Sequence, residues 1–319
     1  MKLRLLHRRI RMAVPELEDI TDVAEPYEET DVADKSMIVV QNLSKTYGRV
    51  RALDRISLNI ESDEVFGLLG PNGSGKTTLL RILATVIPPN RRGVRSVNND
   101  VVCRIAGYDL YKGRKKVRRA IGYVPQRDAL YDDLSALDNL MFFSAPYGVK
   151  GNKERALELL SMVGLYERRN SLVKTFSGGM LKRLSIICSL VHEPPVIFLD
   201  EPTVGLDAQT RREIWSLVGG LKHGRTIVTT THYTPEAEEN CDRVALIFRG
   251  HLLDIGTPAE VISRYPPAVD LEGAMSIAQQ QSLAESEEIE DEYIEEDLED
   301  KDTLDTALDL ECPTGKKRR

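Results

Sequence analysis

The sequence predicts an α/β fold in which buried parallel strands end in polar residues along one edge of a sheet. Three stretches carry that prediction. Val65 to Leu69 is a short apolar run that leads into Gly70-Pro71-Asn72-Gly73-Ser74-Gly75-Lys76-Thr77-Thr78 and then Leu79 to Ala84. This reads as strand, glycine-rich turn and helix. Pro195-Val196-Ile197-Phe198-Leu199 runs straight into Asp200-Glu201, and Thr226 to Thr231 ends at His232. Strands buried on both faces read as unbroken runs of this kind, and open α/β sheets bind ligands beyond the carboxyl ends of their strands.

The glycine-rich turn fits G-x-x-x-x-G-K-[ST] in the context that gives the pattern meaning. Glycines let the backbone bend closely around an anion, and successive N–H groups at a helix N-terminus supply positive potential. Lys76 is placed to reach nucleotide β- and γ-phosphates, and Thr77 to bind Mg²⁺. The class expected is a P-loop NTPase (RecA-like) core.

Before this loop, Ile38-Val39-Val40 and Ile56 to Ile60 read as strands of a half-exposed sheet. Tyr47 lies between them, where an aromatic ring can stack on adenine. Pro88 to Asp109 reads as two short strands and a loop. Ala120 to Pro125 reads as another strand, leading to Gln126. Leu134 to Gly164 is helical in pattern, with Ala156, Leu157, Leu159, Leu160 and Val163 at helical spacing. Phe176-Ser177-Gly178-Gly179-Met180 opens a further helix to about Val191, and Asp207 to Leu221 forms the next. A short helix begins at Pro235, and Val244 to Ile255 reads as a hairpin turning at Arg249-Gly250.

Both ends of the chain are polar. Residues 1–36 are basic and then acidic; they read as a disordered leader or as sequence preceding a start at Met37, with a membrane-surface helix as the alternative. Residues 37–265 form the expected globular domain, with a helical part at about 127–190. Residues 266–319 read as an acidic, disordered tail. From Glu285 onward the chain carries 15 acidic and 5 basic residues, a net of -10, which leaves +3 on the rest of a chain of net charge -7. A near-neutral body argues against a nucleic-acid surface. No apolar run approaches the ~18 residues of a membrane span. The four cysteines are scattered without metal spacing, which fits a reduced, cytosolic setting. Cys188 reads as a small core hydrophobe.

Asp200 at a strand end is suited to hold Mg²⁺ opposite Thr77. Glu201, one residue on, is suited to polarise a water aimed at a γ-phosphate. His232, on a neighbouring strand end, can hydrogen-bond that water or the phosphate. Gln126 offers a neutral amide to Mg²⁺ or the water.

On these residues the chain resembles the nucleotide-binding subunits of ATP-binding cassette (ABC) transporters over about Ile38 to Ser263. Tyr47 matches the adenine-stacking aromatic, Gly70 to Thr77 the Walker A loop and Gln126 the Q-loop. Val196 to Asp200 matches the Walker B strand, Glu201 the catalytic glutamate, Gly205-Leu206-Asp207 the D-loop and His232 the switch histidine. Ser177-Gly178-Gly179 matches the core of the family signature, with Phe176 and Met180 in place of the usual leucine and glutamine. Ser-Gly-Gly-Met and the run from Thr231 to Arg243 resemble the drug-exporter, or type 2 exporter, group. Pro88 to Asp109 is about eight residues longer than the family pattern.

The resemblance implies an ATPase with an antiparallel β subdomain near the adenine and an α-helical subdomain that receives a separate membrane permease. It also implies a head-to-tail homodimer or a paired heterodimer, in which Ser177, Gly178, Gly179 and Asp207 face the ATP of the other protomer. The expected setting is the cytoplasmic face of the cell membrane. The rival reading is a soluble ABC ATPase acting on nucleic acid or ribosomes. Lys76 and Asp200 lie too close in sequence, without sustained heptads, for the chromosome-type version.

Overall fold

The computed structural model describes residues 36–90, 101–148 and 152–285. The leader, the Arg91–Asp100 part of the long loop, Cys312 and the acidic segment from 286 lie outside the described residues. The chain divides into a unit that ends at Val261 and a second that begins at Ile262.

The first unit holds two sheets. Strands β1 (Ser36–Tyr47), β2 (Val50–Glu61), β4 (Val102–Ile105) and β5 (Tyr108–Asp109) form an antiparallel sheet in the order β2-β1-β4-β5. The larger sheet has the order β10-β9-β3-β8-β7-β6, with β3 (Val65–Leu69), β6 (Ile121–Val124), β7 (Val196–Asp200), β8 (Thr226–Thr231), β9 (Arg243–Phe248) and β10 (His251–Gly256). Its pairings are parallel except for β9 with β10, the expected hairpin. Every residue of β3, β7 and β8 is buried, as strands covered on both faces require.

Helices cover this frame: α1 (Lys76–Leu83), α2 (Arg114–Ala120), α3 (Ala136–Ser144), α4 (Asn152–Met162), α5 (Gly178–Cys188), α6 (Ala208–Leu221), α7 (Thr234–Asn240) and α8 (Pro258–Arg264). Side chains start several of them. Ser135 accepts from the Asp138 N–H ahead of α3, Ser177 from Met180 ahead of α5, and Asp207 from Gln209 and Thr210 ahead of α6. Asn139 is fully buried in α3. Its Nδ2 donates to the carbonyls of Tyr131 and Ser135, and its Oδ1 accepts from the Tyr131 N–H, which anchors the segment that follows Gln126.

Three features differ from the sequence reading. Strands β1 and β2 run far beyond their apolar centres, because irregular register and a left-handed Asn42 interrupt the alternation that marks a strand. Helix α2 follows β5 where the sequence offered no periodicity; only Val117 and Ala120 face inward from a basic stretch. In the second unit, residues 271–285 form a helix (α9) where a disordered tail was expected. Its buried positions are Leu271, Ala274 and Ala278, a narrow face of mostly small residues.

The cysteines behave as core. Burial pushes the Cys103 and Cys241 thiols up to about 12 and raises Cys188 as well. His192 is part-buried. Its ring stacks on Tyr147 at 3.7 Å, Nε2 donates to the Ile121 carbonyl at 2.9 Å, and Nδ1 is buried with no hydrogen-bond partner. Burial lowers its pKa to about 4 from an ordinary value of 6.5. The unfolded chain therefore binds the proton first as pH falls, and stability is lost from pH 6.5 down to about 4. The shift corresponds to about 3 kcal/mol. His192→Phe, which keeps the stack, is expected to flatten this part of the stability–pH curve in urea titrations at pH 7, 5.5 and 4.5.

Candidate active site

The site begins where β3 leaves the sheet. Gly70 has no room for a side chain, since a Cβ there would lie 2.1 Å from the Ile247 carbonyl oxygen. Gly75 sits at φ +110°, and its Cβ would lie 2.6 Å from the Ala52 carbonyl oxygen. The loop is thereby pressed between β2 and the β9–β10 turn. Gly250 ties these parts together, donating to Ser74 O at 2.9 Å and accepting from Asp54 N at 2.8 Å.

Lys76 opens α1 and is almost fully buried. Its Nζ donates to Gly70 O at 2.7 Å and Pro71 O at 2.8 Å, so the ammonium lies inside the curve of the loop. Burial lowers its pKa, while Glu201 and Asp200 act to raise it. Asn72 and Gly73 are exposed at the rim, and Thr78 is half-buried beside Thr77.

Parallel register brings the acids to this loop. Asp200 ends β7 opposite Thr230 of β8. Its Oδ1 accepts from Thr77 Oγ1 at 3.0 Å and Thr230 Oγ1 at 2.9 Å. Its Oδ2 is buried without a hydrogen bond, and Arg81 Nε stands 3.8 Å away. Tyr123 is close by, and its pKa is raised by burial first and by Asp200 next. A buried carboxylate oxygen left open beside a threonine hydroxyl is a donor set that fits Mg²⁺.

Glu201 leaves the strand at φ +45°, a left-handed conformation that β-strand residues avoid. Its N–H is held by Thr230 Oγ1 at 2.9 Å. The kink separates its carboxylate from that of Asp200. Glu201 Oε2 accepts from Gln126 Nε2 at 2.8 Å, and Oε1 lies 3.3 Å from His232 Nδ1. Glu201 is 8% exposed, and His232 stands more open to solvent. The structure thus brings Gln126, Glu201, His232, Asp200, Thr77 and Lys76 together from three strand ends and a helix.

The remaining predicted residues lie at the margins of that cluster. Tyr47 ends β1 half-exposed, with Lys45 Nζ 5.1 Å from its ring centre. Ser177 caps α5, and a Cβ on the next residue, Gly178, would lie 3.6 Å from Leu206 Cδ2. A Cβ on Gly179 would lie 2.5 Å from Thr210 Cγ2, so helices α5 and α6 meet too closely there for any side chain. Phe176 is buried under Arg168, a packing role that suits an aromatic as well as a leucine. Asp207 takes Thr210 Oγ1 at 2.6 Å, and this bond leads the contacts that lower its pKa. Sequence reasoning missed Thr230, Arg81 and Tyr123. Thr230 had a signal, since a threonine-rich strand that is wholly buried needs partners for its hydroxyls.

A phosphate loop after a central parallel strand, facing carboxylates at the end of β7 with β8 between the two strands, makes this a P-loop NTPase. A family model described as ABC transporter matches residues 53–204. The linearmycin resistance ATP-binding protein LnrL of Bacillus subtilis is 39% identical, covering 72% of this chain and 71% of its own length. The doxorubicin resistance ATP-binding protein DrrA of Mycobacterium tuberculosis is 40% identical over 72% of this chain and 69% of its own. Among solved structures, an ATP binding subunit of an ABC transporter superposes with TM-score 0.67 at 25% identity, over 76% of this chain and all of that one. The ATP-binding cassette MJ0796, described as dimeric and bound to ADP and Pi in a post-hydrolysis state, gives 0.61 at 30% identity, over 69% of this chain and 98% of that one. The chain belongs to the ABC transporter family, as one of its ATP-binding, ATP-hydrolysing subunits.

Thr230→Val tests the shared hydroxyl. It removes a donor to Asp200 and leaves the buried Glu201 N–H unpaired. The expected cost is about 1–3 kcal/mol in denaturant unfolding, with a loss of ATP turnover beyond what that destabilisation explains.

Proposed function

We propose that this chain hydrolyses MgATP to drive export through a separate transmembrane permease, and that two cassettes close around ATP to do so. The observation that carries the reading is the Glu201 carboxylate, held between Gln126 and His232 one residue beyond Asp200. Glu201 takes a proton from the attacking water as its oxygen bonds to the γ-phosphorus and the bond to ADP breaks. His232 holds Glu201 and the γ-phosphate in line. Lys76 and the N–H groups of the Gly70 to Thr78 loop, Pro71 excepted, receive the phosphates, and Tyr47 stacks on the adenine. Thr77, Asp200 and Gln126 would hold Mg²⁺, which neutralises phosphate charge when bound.

Ser177 and the amides of Gly178 and Gly179 stand at a helix N-terminus, suited to the γ-phosphate of a second subunit's ATP. Their turn is packed on the Asp207 side of the fold, which supports an intermolecular role. A cavity of about 410 Å³, lined by Tyr123, Pro125, Leu130, Phe143, Tyr147 and His192, opens beside Gln126 and supports a seat there for a cytoplasmic segment of the permease. No described helix is long and apolar enough to cross a membrane. We place the subunit on the cytoplasmic face of the cell membrane, without a nucleic-acid partner. The resistance proteins LnrL and DrrA support export as the direction, with the cargo read by the permease.

Glu201→Gln keeps a polar group in place but removes the base. Turnover is expected to fall by ~10²-fold or more with ATP affinity retained, and light scattering should detect an ATP-bound dimer. Hydrolysis at the parent rate would remove Glu201 from its assigned role. Affinity capture of the tagged chain from solubilised membranes is expected to bring a multi-span protein in fixed ratio. Recovery with ribosomes or nucleic acid instead would favour the soluble class.

A further inference from the structure

Glu236 is a buried carboxylate for which hydrolysis has no direct use. It lies on α7, four residues past His232, and is 5% exposed. Its Oε2 accepts from Thr203 Oγ1 at 2.7 Å, and Arg211 Nε lies 3.2 Å from Oε1. The Arg211 guanidinium also stands 5.1 Å from the centre of the Tyr233 ring. Asn240 Nδ2 fixes the Glu236 carbonyl at 2.9 Å. Three segments therefore meet at one side chain. Thr203 lies in the turn just after Glu201. Arg211 lies in the first turn of α6, where its N–H donates to the Asp207 carbonyl at 2.9 Å. Tyr233 and Glu236 follow the switch histidine.

The Glu201 turn needs such a hold. Its left-handed backbone is stable only if the surroundings fix it. Thr230 fixes it from the sheet side through the Glu201 N–H. From the other side, Thr203 is pinned by its hydroxyl to Glu236, while Leu206 N–H donates to Thr203 O at 3.2 Å. An ion pair with a buried carboxylate and a partly open guanidinium is a poor source of net stability, so its use lies in fixing one arrangement over others.

We propose that Glu236 is a positioning residue for ATP hydrolysis, clamping the Glu201 turn and the His232 segment to the first turn of α6. A displacement of the Asp207 turn is then transmitted through Arg211 and Glu236 to the carboxylate that activates water. This rests on the assignment of Glu201 as the base, and on the Asp207 turn facing a second subunit.

The test uses the full chain with MgATP, measuring kcat, ATP affinity and thermal midpoint for each variant. Glu236→Gln and Thr203→Val are expected to lower kcat about tenfold or more with ATP affinity held within about twofold, because small misplacements of catalytic groups are costly. Thr203→Ser, which restores the hydroxyl, should recover most of kcat. Adding Arg211→Gln to Glu236→Gln should cost little more, as expected of one coupled unit. Leu160→Ala, in the core of α4, is the control for destabilisation alone and should keep kcat. Parental kcat in Thr203→Val, or an equal loss in Leu160→Ala, would overturn the clamp. If Glu236→Gln fails to fold, the Thr203 pair decides the matter. Glu201→Gln in the same assay separates the two levels. Its activity would remove the underlying assignment, whereas an inactive Glu201→Gln beside a fully active Glu236→Gln removes the clamp alone.

Discussion

One hydroxyl holds the two carboxylates of this site in different places. Thr230 Oγ1 donates to Asp200 Oδ1 and accepts from the N–H of Glu201. Only a group that is donor and acceptor at once can do both from one position. Its placement depends on the parallel register of β7 and β8, which sets Asp200 opposite Thr230. With that register fixed, Asp200 stays in line with its strand and meets Thr77, while Glu201 turns away to Gln126 and His232. A slip of one residue would send the hydroxyl to the opposite face and separate the acids from the loop.

The local parts of this arrangement could be read in the sequence. Gly70 to Thr78 is contiguous and lies between an apolar strand and a helix, so its chemistry and its setting are written side by side. Asp200-Glu201 and His232 stood out because each ends an unbroken buried run. Residues whose roles come from distant partners were not legible. Thr230 looks like any β-branched strand residue until β7 lies beside it, and Glu236 looks like a surface acid of a short helix until Thr203 and Arg211 close around it. Helix α2 escaped notice because its basic residues hide a two-residue apolar face. Helix α9 escaped because alanines supply most of its buried face, and alanine gives little hydrophobic contrast. The sequence reading of β1 and β2 was too short for the opposite reason, since bulges break the two-residue alternation of strands that are otherwise regular.

The buried charges fall into two kinds. Asp200 and Lys76 are the ones we assign to an outside ligand: one has an oxygen without a hydrogen bond, and the other is satisfied by carbonyls of the very loop that curls around it. Glu236 and Lys182 are used internally. Lys182 of α5 reaches the carbonyls of Pro125 and Gln126 and pairs with Asp128 at 2.9 Å, so the segment after β6 is tied to the helix capped by Ser177.

The junction of Gly75, Gly250 and Ala52 has a consequence for engineering. The Arg249-Gly250 hairpin tip is short and partly solvent-facing, the kind of place usually chosen to insert a reporter or an affinity peptide. Here the tip is stitched to Ser74 and Asp54, and a Cβ on Gly250 would lie 2.9 Å from the same Ala52 oxygen that excludes one on Gly75. An insertion at this hairpin would therefore reach the phosphate cradle from some 170 positions away in sequence. Topologically the turn is peripheral; mechanically it is a wall of the glycine-rich loop.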